Sequence, residues 1–174
     1  FGREHGERMR LYNHMLTAGC LIEDSGEGRV VLGPDLEPWM LFTLSRRDVE
    51  TVHHGVGLVA EQLFAAGARK VLLPFGGLPE IDGPDELGKI EQRKHVKRDV
   101  ELMTVHIMST CKMAAAPEAG PCDERGMLRN VPGLAIADAS AIPSSIGVNP
   151  METIVALALR NSDLWSDALR RGLH

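Results

Sequence analysis

His106 and Asn149 are the residues with the most chemistry to offer. His106 follows the apolar run Leu102-Met-Thr-Val105 and precedes Ile107-Met-Ser-Thr-Cys-Lys-Met113, a stretch of small and sulfur-bearing residues. Histidine suits a general base, because it titrates near neutral pH and can reach a hydroxyl proton. The alternative is a strand-end histidine that only hydrogen-bonds locally. Asn149 precedes Pro150 and stands three residues before Glu152, the pattern of a helix with asparagine at the N-cap and proline at its first position. As a cap, its side chain would satisfy a backbone N–H; as a catalytic group, it would aim its amide at a substrate oxygen. Upstream, Leu134-Ala-Ile-Ala-Asp138 reads as a short buried strand ending in a carboxylate. Strand, small-residue loop and capped helix together form a place where backbone N–H groups can face an anionic ligand.

The elements that must position these residues can be traced along the chain. Residues from about 5 to 16 have Met9, Tyr12, Met15 and Leu16 at helical spacing. Ala18–Glu23 and Arg29–Leu32, separated by Asp24-Ser-Gly-Glu-Gly28, predict a hairpin. Trp39–Leu44 is a third strand candidate. From Ser45 the period changes, and Val49, Val52, Val56, Val59 and Leu63 trace one helical face up to Gly67. Lys70–Pro74 predicts a strand, 74–84 a turn-rich loop, 85–99 a charged, solvated helix and Glu101–His106 a strand. After a shift of composition at Ala114–Gly120, Ile154, Val155, Leu157, Ala158, Leu164, Trp165, Ala168 and Leu169 predict a long apolar helix. Strands paired around one packed helix imply an antiparallel sheet backed by helices. The last strand and helix read as part of a different, parallel-type layer.

Several function classes are disfavoured. A formal charge of −5 across 174 residues leaves no basic footprint for nucleic acid. No apolar run reaches the eighteen or so residues of a membrane helix. Three cysteines (Cys20, Cys111 and Cys122) cannot all pair within the chain, which favours reduced thiols and a cytoplasmic setting. Gly55-Val-Gly57-Leu-Val-Ala60 matches G-x-G-x-x-A, but it falls inside a helical pattern instead of a strand-to-helix turn. His53, His54, His95, His106 and the cysteines fit no compact zinc spacing. The absence of a G-x-S-x-G elbow counts against a hydrolase.

Three blocks carry a resemblance: His106-x-x-Ser109-Thr110-Cys111-x-Met113, Asp138-Ala139-Ser140 with Pro143, and Gly147-x-Asn149-Pro150-x-x-Thr153-Ile154. In that order, over about sixty residues, they resemble the C-terminal signature of the glucose–methanol–choline (GMC) oxidoreductases, FAD-dependent enzymes that oxidise alcohols. Ser109 and Ala114 stand where that pattern commonly has glycine. The resemblance implies His106 as the base and Asn149 opposite it on the substrate oxygen. It further implies Asp138 and Ala139 as an FAD-contacting pair, and Pro150 and Met151 as cofactor contacts at a positively polarised helix end.

The implied fold is mixed, α+β with an α/β part. Residues 1–113 would be the C-terminal part of a substrate-binding domain with an antiparallel sheet backed by helices. Residues 114–174 would return as the last strand and helix of a Rossmann-like FAD-binding domain. The chain begins at Phe1 and is expected to be a fragment, a processed product or a truncated reading. The expected partners are a small-molecule alcohol and an N-terminal FAD-domain segment or partner chain, with self-association of the isolated piece. The alternative is a binding or assembly module that kept part of the fold and lost the cofactor.

Overall fold

The computed structural model describes residues 2–94 and 97–172. Helix α1 (Arg3–Met9) is followed by a 3-10 turn at Tyr12–His14. Strands β1 (Gly28–Leu32) and β2 (Pro38–Phe42) pair antiparallel with Val30 opposite Met40. Helix α2 (Arg46–Ala65) leads into a second antiparallel pair, β3 (Val71–Phe75) and β4 (Leu78–Ile81), with Val71 opposite Ile81. The short helix α3 (Gly88–Glu91) follows, and the described chain closes on the 20-residue helix α4 (Met151–Arg170). The fold is α+β: two two-stranded antiparallel sheets with helices.

Helix α2 starts at Ser45 because two residues satisfy each other. The Asp48 N–H donates to Ser45 Oγ at 3.1 Å, and the Ser45 N–H donates to Asp48 Oδ2 at 2.7 Å, a reciprocal capping box. The other Asp48 oxygen accepts from the Ser25 N–H at 2.9 Å and the Ser25 hydroxyl at 2.8 Å. Burial alone would raise this carboxyl, but the bonds from Ser25 and Ser45 outweigh it and hold the pKa at about 2. The buried anion thereby ties the loop around Ser25 to the start of α2. The helix ends where Gly67 turns left-handed at φ 99.

Behind that cap lies the apolar core. Ala60, Val71, Leu73, Phe75, Ile81 and Ile90 are buried together, with Val56, Leu63, Phe64 and Leu78 packed around them. The His53 ring lies 4.5 Å from the Phe75 ring, centroid to centroid, and the Arg93 guanidinium stacks 4.9 Å from the Phe75 centroid on. Arg93 also reaches the Asp99 carboxylate and the Gly76 carbonyl, closing this unit. The β1–β2 ribbon has no such backing: all ten of its residues are exposed.

Helix α2, β2 and β3 fall where the sequence predicts them, and a helix opens the chain, though it ends earlier than predicted. Five expectations differ. β1 pairs with β2 instead of Ala18–Glu23, because the closing turn is Gly33–Glu37. There the Gly33 N–H donates to Glu37 O at 2.8 Å, and the Glu37 N–H reaches Asp35 Oδ1 at 3.2 Å. Part of the predicted loop 74–84 is strand β4, which Pro79 and Glu80 hide by breaking the apolar alternation. The predicted helix over 85–99 shrinks to α3 with 3-10 turns on either side, and Ile90 is buried instead of solvated; positions 95 and 96 of that stretch lie outside the described residues. Neither Glu101–His106 nor Leu134–Asp138 is a ladder strand among the described residues. The first is held only near its start, by Glu101 N–H to Pro74 O at 2.8 Å, and Leu134 is exposed.

Candidate active site

The first site residue, His106, sits half-buried in an extended segment whose apolar neighbours Leu102, Met103, Val105 and Ile107 all point to solvent. Its backbone N–H makes a long contact of 3.4 Å to Thr104 Oγ1. Its ring makes no hydrogen bond among the described residues. Asn149 is exposed, and α4 begins at Met151 with Pro150, not Asn149, in the capping position. No capping bond from the Asn149 amide exists among the described residues. Both side chains line one open trough of about 3230 Å³, together with Ser109, Thr110 and Val148.

The first two of the three sequence blocks meet in a hydrogen-bonded knot. The Cys111 N–H donates to Ser140 O and the Met113 N–H to Ala141 O, each at 3.0 Å, so the first block lies along the second. Ala114 N–H then donates to Cys122 O at 3.1 Å, and Met113 bridges to Cys122 in parallel. Ser109 adopts φ 71, a left-handed conformation that disfavours side chains. The backbone therefore takes the shape for which glycine is the usual choice, although serine occupies the position. Asp138 Oδ1 accepts from the Ser140 N–H at 2.8 Å and the Ser140 hydroxyl at 2.5 Å. Those bonds hold its carboxyl below the usual carboxylate range. Arg129 fastens the following loop, its guanidinium reaching the carbonyls of Ala114, Ala115 and Gly120.

Along helix α4, Ile154, Leu157, Ala158, Leu164, Trp165 and Ala168 form a half-buried stripe, while Val155 and Leu169 face solvent. Asn161 lies at the centre of that stripe and is fully buried. Its Oδ1 accepts from Arg160 at 2.8 Å, and its Nδ2 donates to Met113 Sδ at 3.6 Å. Arg160 donates to Glu124 O at 2.9 Å, and Trp165 Nε1 to Arg125 O at 2.7 Å. Sequence reasoning missed Asn161, Arg160 and Arg129. The available signal was a lone amide falling on an apolar helical stripe.

The cofactor candidates fall into two places. Pro150 is buried at the head of α4, while Met151 is exposed beside it, leaving the first N–H groups of a long helix open to a ligand. Asp138 is exposed and Ala139 half-buried on the adjoining turn. Gly55 and Gly57 lie mid-helix in α2, and a Cβ at Gly55 would sit 2.6 Å from Cys20 Sγ. Gly55 is thus a packing point and no phosphate-binding turn; Gly57 has open space around it. Among the described residues no three His, Cys, Asp or Glu side chains gather where they could hold a metal ion; His95, one of the histidines weighed for zinc, lies outside them.

The arrangement is an α+β chain with one open face and polar groups along its rim. A match to the GMC oxidoreductase family spans residues 26–158, and the chain belongs to that family, as its C-terminal region. It is 36% identical over 141 residues to an uncharacterised GMC-type oxidoreductase of Sinorhizobium fredii, covering 80% of this chain and 28% of that protein. It is 28% identical over 183 residues to a long-chain-alcohol oxidase of Arabidopsis thaliana, covering 97% of this chain and 24% of that protein. A cholesterol oxidase of Acinetobacter baumannii is 40% identical over 57 residues, 33% of this chain and 10% of that enzyme. The chain thus spans about a quarter of the length of the first relatives it matches. No helix among the described residues is long and apolar enough to cross a membrane.

Proposed function

We propose that this chain is the C-terminal catalytic portion of an FAD-dependent oxidoreductase that oxidises an alcohol at its CH–OH group. The observation that carries this reading is that His106 and Asn149 line one trough, with no side-chain hydrogen bond to either among the described residues. His106 takes the hydroxyl proton, and the Asn149 amide donates a hydrogen bond to the same oxygen as the carbonyl forms. When bound, FAD would supply the redox chemistry, taking up the two electrons of the oxidation with the carbinol hydrogen. Pro150 and Met151 at the head of α4, with Asp138 and Ala139, would hold one end of that cofactor.

The apolar side chains flanking His106 favour a bulky apolar alcohol, which agrees with the alcohols that the plant and bacterial relatives' names record. The trough exceeds the roughly 300–1,000 Å³ of ordinary ligand pockets several-fold. That volume is room for polypeptide. An N-terminal segment carrying the glycine-rich phosphate turn fills it, as part of the same protein or as a partner chain. In this reading residues 1–113 belong to the substrate side and 114–174 return to the FAD side. The free thiols Cys20, Cys111 and Cys122 suit a reducing compartment.

The test is His106→Ala in the full-length enzyme. Flavin should remain bound while its reduction by alcohol slows roughly 10²–10⁴-fold, the range for a lost general base. Stopped-flow bleaching of the flavin measures it, and an unchanged rate would sink the assignment.

A further inference from the structure

We infer that Asn161 is a positioning residue: it sets the axial register of α4 and so the place of Asn149 relative to His106. The inference rests on the catalytic reading above. Asn161 is the one buried residue of α4 among the described residues, and it is polar. A buried amide is costly unless bonded, so the helix is held where both ends of this amide find partners. One end meets Met113, seven residues beyond His106 in the same block; the other meets Arg160, which grips the Glu124 carbonyl. The fit is close on a third side. Gly126, left-handed at φ 76, would place a Cβ 2.8 Å from Asn161 Nδ2 and 2.9 Å from Ile136 O.

An apolar stripe alone can slide or rotate against its bed with little loss, since one aliphatic contact replaces another. A single asparagine at a core position restricts that freedom, as it does in coiled coils, because another register takes its Nδ2 away from Met113 while Arg160, on the same helix, travels with it. Asn149 lies two residues before α4, whose first residue, Met151, is about 15 Å along the helix from Asn161. Shifting such a rod by one ångström at Asn161 shifts its head by the same amount. Misplacement on that scale can cost a reaction on the order of 10²-fold.

Asn161→Leu in the full-length enzyme keeps side-chain size and removes both amide bonds. Flavin reduction by alcohol should slow about 10-fold or more, with KM little changed. Because the effect passes through Asn149, adding Asn161→Leu to Asn149→Ala should cost nothing further in rate. Met113→Leu, which removes only the sulfur acceptor, should give a smaller loss with the same lack of additivity, and it keeps the test available if Asn161→Leu does not fold. A lowered melting temperature with an unchanged reduction rate would overturn the inference, and so would losses that multiply with that of Asn149→Ala. If His106→Ala and Asn149→Ala both leave the rate unchanged, the catalytic reading fails and this one falls with it. If those two variants are slow while Asn161→Leu is not, only the positioning role is lost.

Discussion

Two halves of this chain are held together by different forces. The unit of α2, β3, β4 and α3 closes around buried apolar side chains, with Phe75 and Ile81 at its centre. The region from His106 to α4 buries few side chains (Cys122, Ala141, Ile142 and Asn161 among them) and depends on backbone and amide hydrogen bonds between separated segments. The first arrangement tolerates imprecision, since apolar contacts are non-directional. The second fixes atoms in place, because hydrogen bonds require direction as well as proximity. Candidate catalytic groups suit the second kind of scaffold, and His106 and Asn149 stand beside it, five residues before Cys111 and two before α4.

Mutations can break that contrast or sharpen it. The largest stability effect should come from Phe75→Ala, which removes a core side chain and the stacking surface for His53 and Arg93. It should cost about 3–5 kcal/mol by chemical denaturation of the full-length enzyme. Flavin reduction in the molecules that remain folded should be unaltered. Asn149→Ala should do the reverse. With no capping bond to lose, melting should hardly move, while reduction slows on the order of 10²-fold, as for one lost oxyanion donor. Comparable effects on melting and rate would blur the division between the halves.

Next in size, Ser45→Ala should cost about 1 kcal/mol through the broken capping box. The same site gives the apolar half an acid limit. The Asp48 pKa is about 2 in the fold against 3.8 for the ordinary group. Its stabilisation is therefore complete above about pH 4 and disappears as pH falls through about 2. Asp48→Asn should flatten that part of the stability–pH curve. The smallest effect belongs to Ser109→Gly. Relief of a left-handed serine is partly offset by glycine's greater freedom in the unfolded chain, leaving a gain below ~1 kcal/mol in melting experiments.

Legibility followed the same division. Helix α2 was readable because its cap, apolar period and closing glycine all agree on one element. The β1–β2 turn was readable in principle, since Gly33-Pro34-Asp35 is as strong a turn signal as the Asp24–Gly28 run that displaced it. In the second region periodicity had little to report. Leu134–Asp138 is apolar like a buried strand, yet among the described residues it finds only the isolated bridge of Ala135 to Met127. His106 and Asn149 could be associated through the motif resemblance but not through spacing, because a trough formed by distant segments leaves no local pattern. Asn161 escaped for a different reason. An amide on a helix usually marks a solvent face, and only its position on the stripe says otherwise.

The three thiols turn the contrast between halves into something a clock can read. Cys122 is wholly enclosed where the 111–114 segment meets Leu128, and burial pushes its thiol up, so the reactive thiolate is scarce as well as hidden. Cys20 is exposed against α2. An alkylating reagent reaches Cys20 at once and Cys122 only while the knot is open, so the ratio of the two labelling rates measures the free energy of that local opening. The molecule thus carries its own stopwatch and its own reference, one on each side of the division.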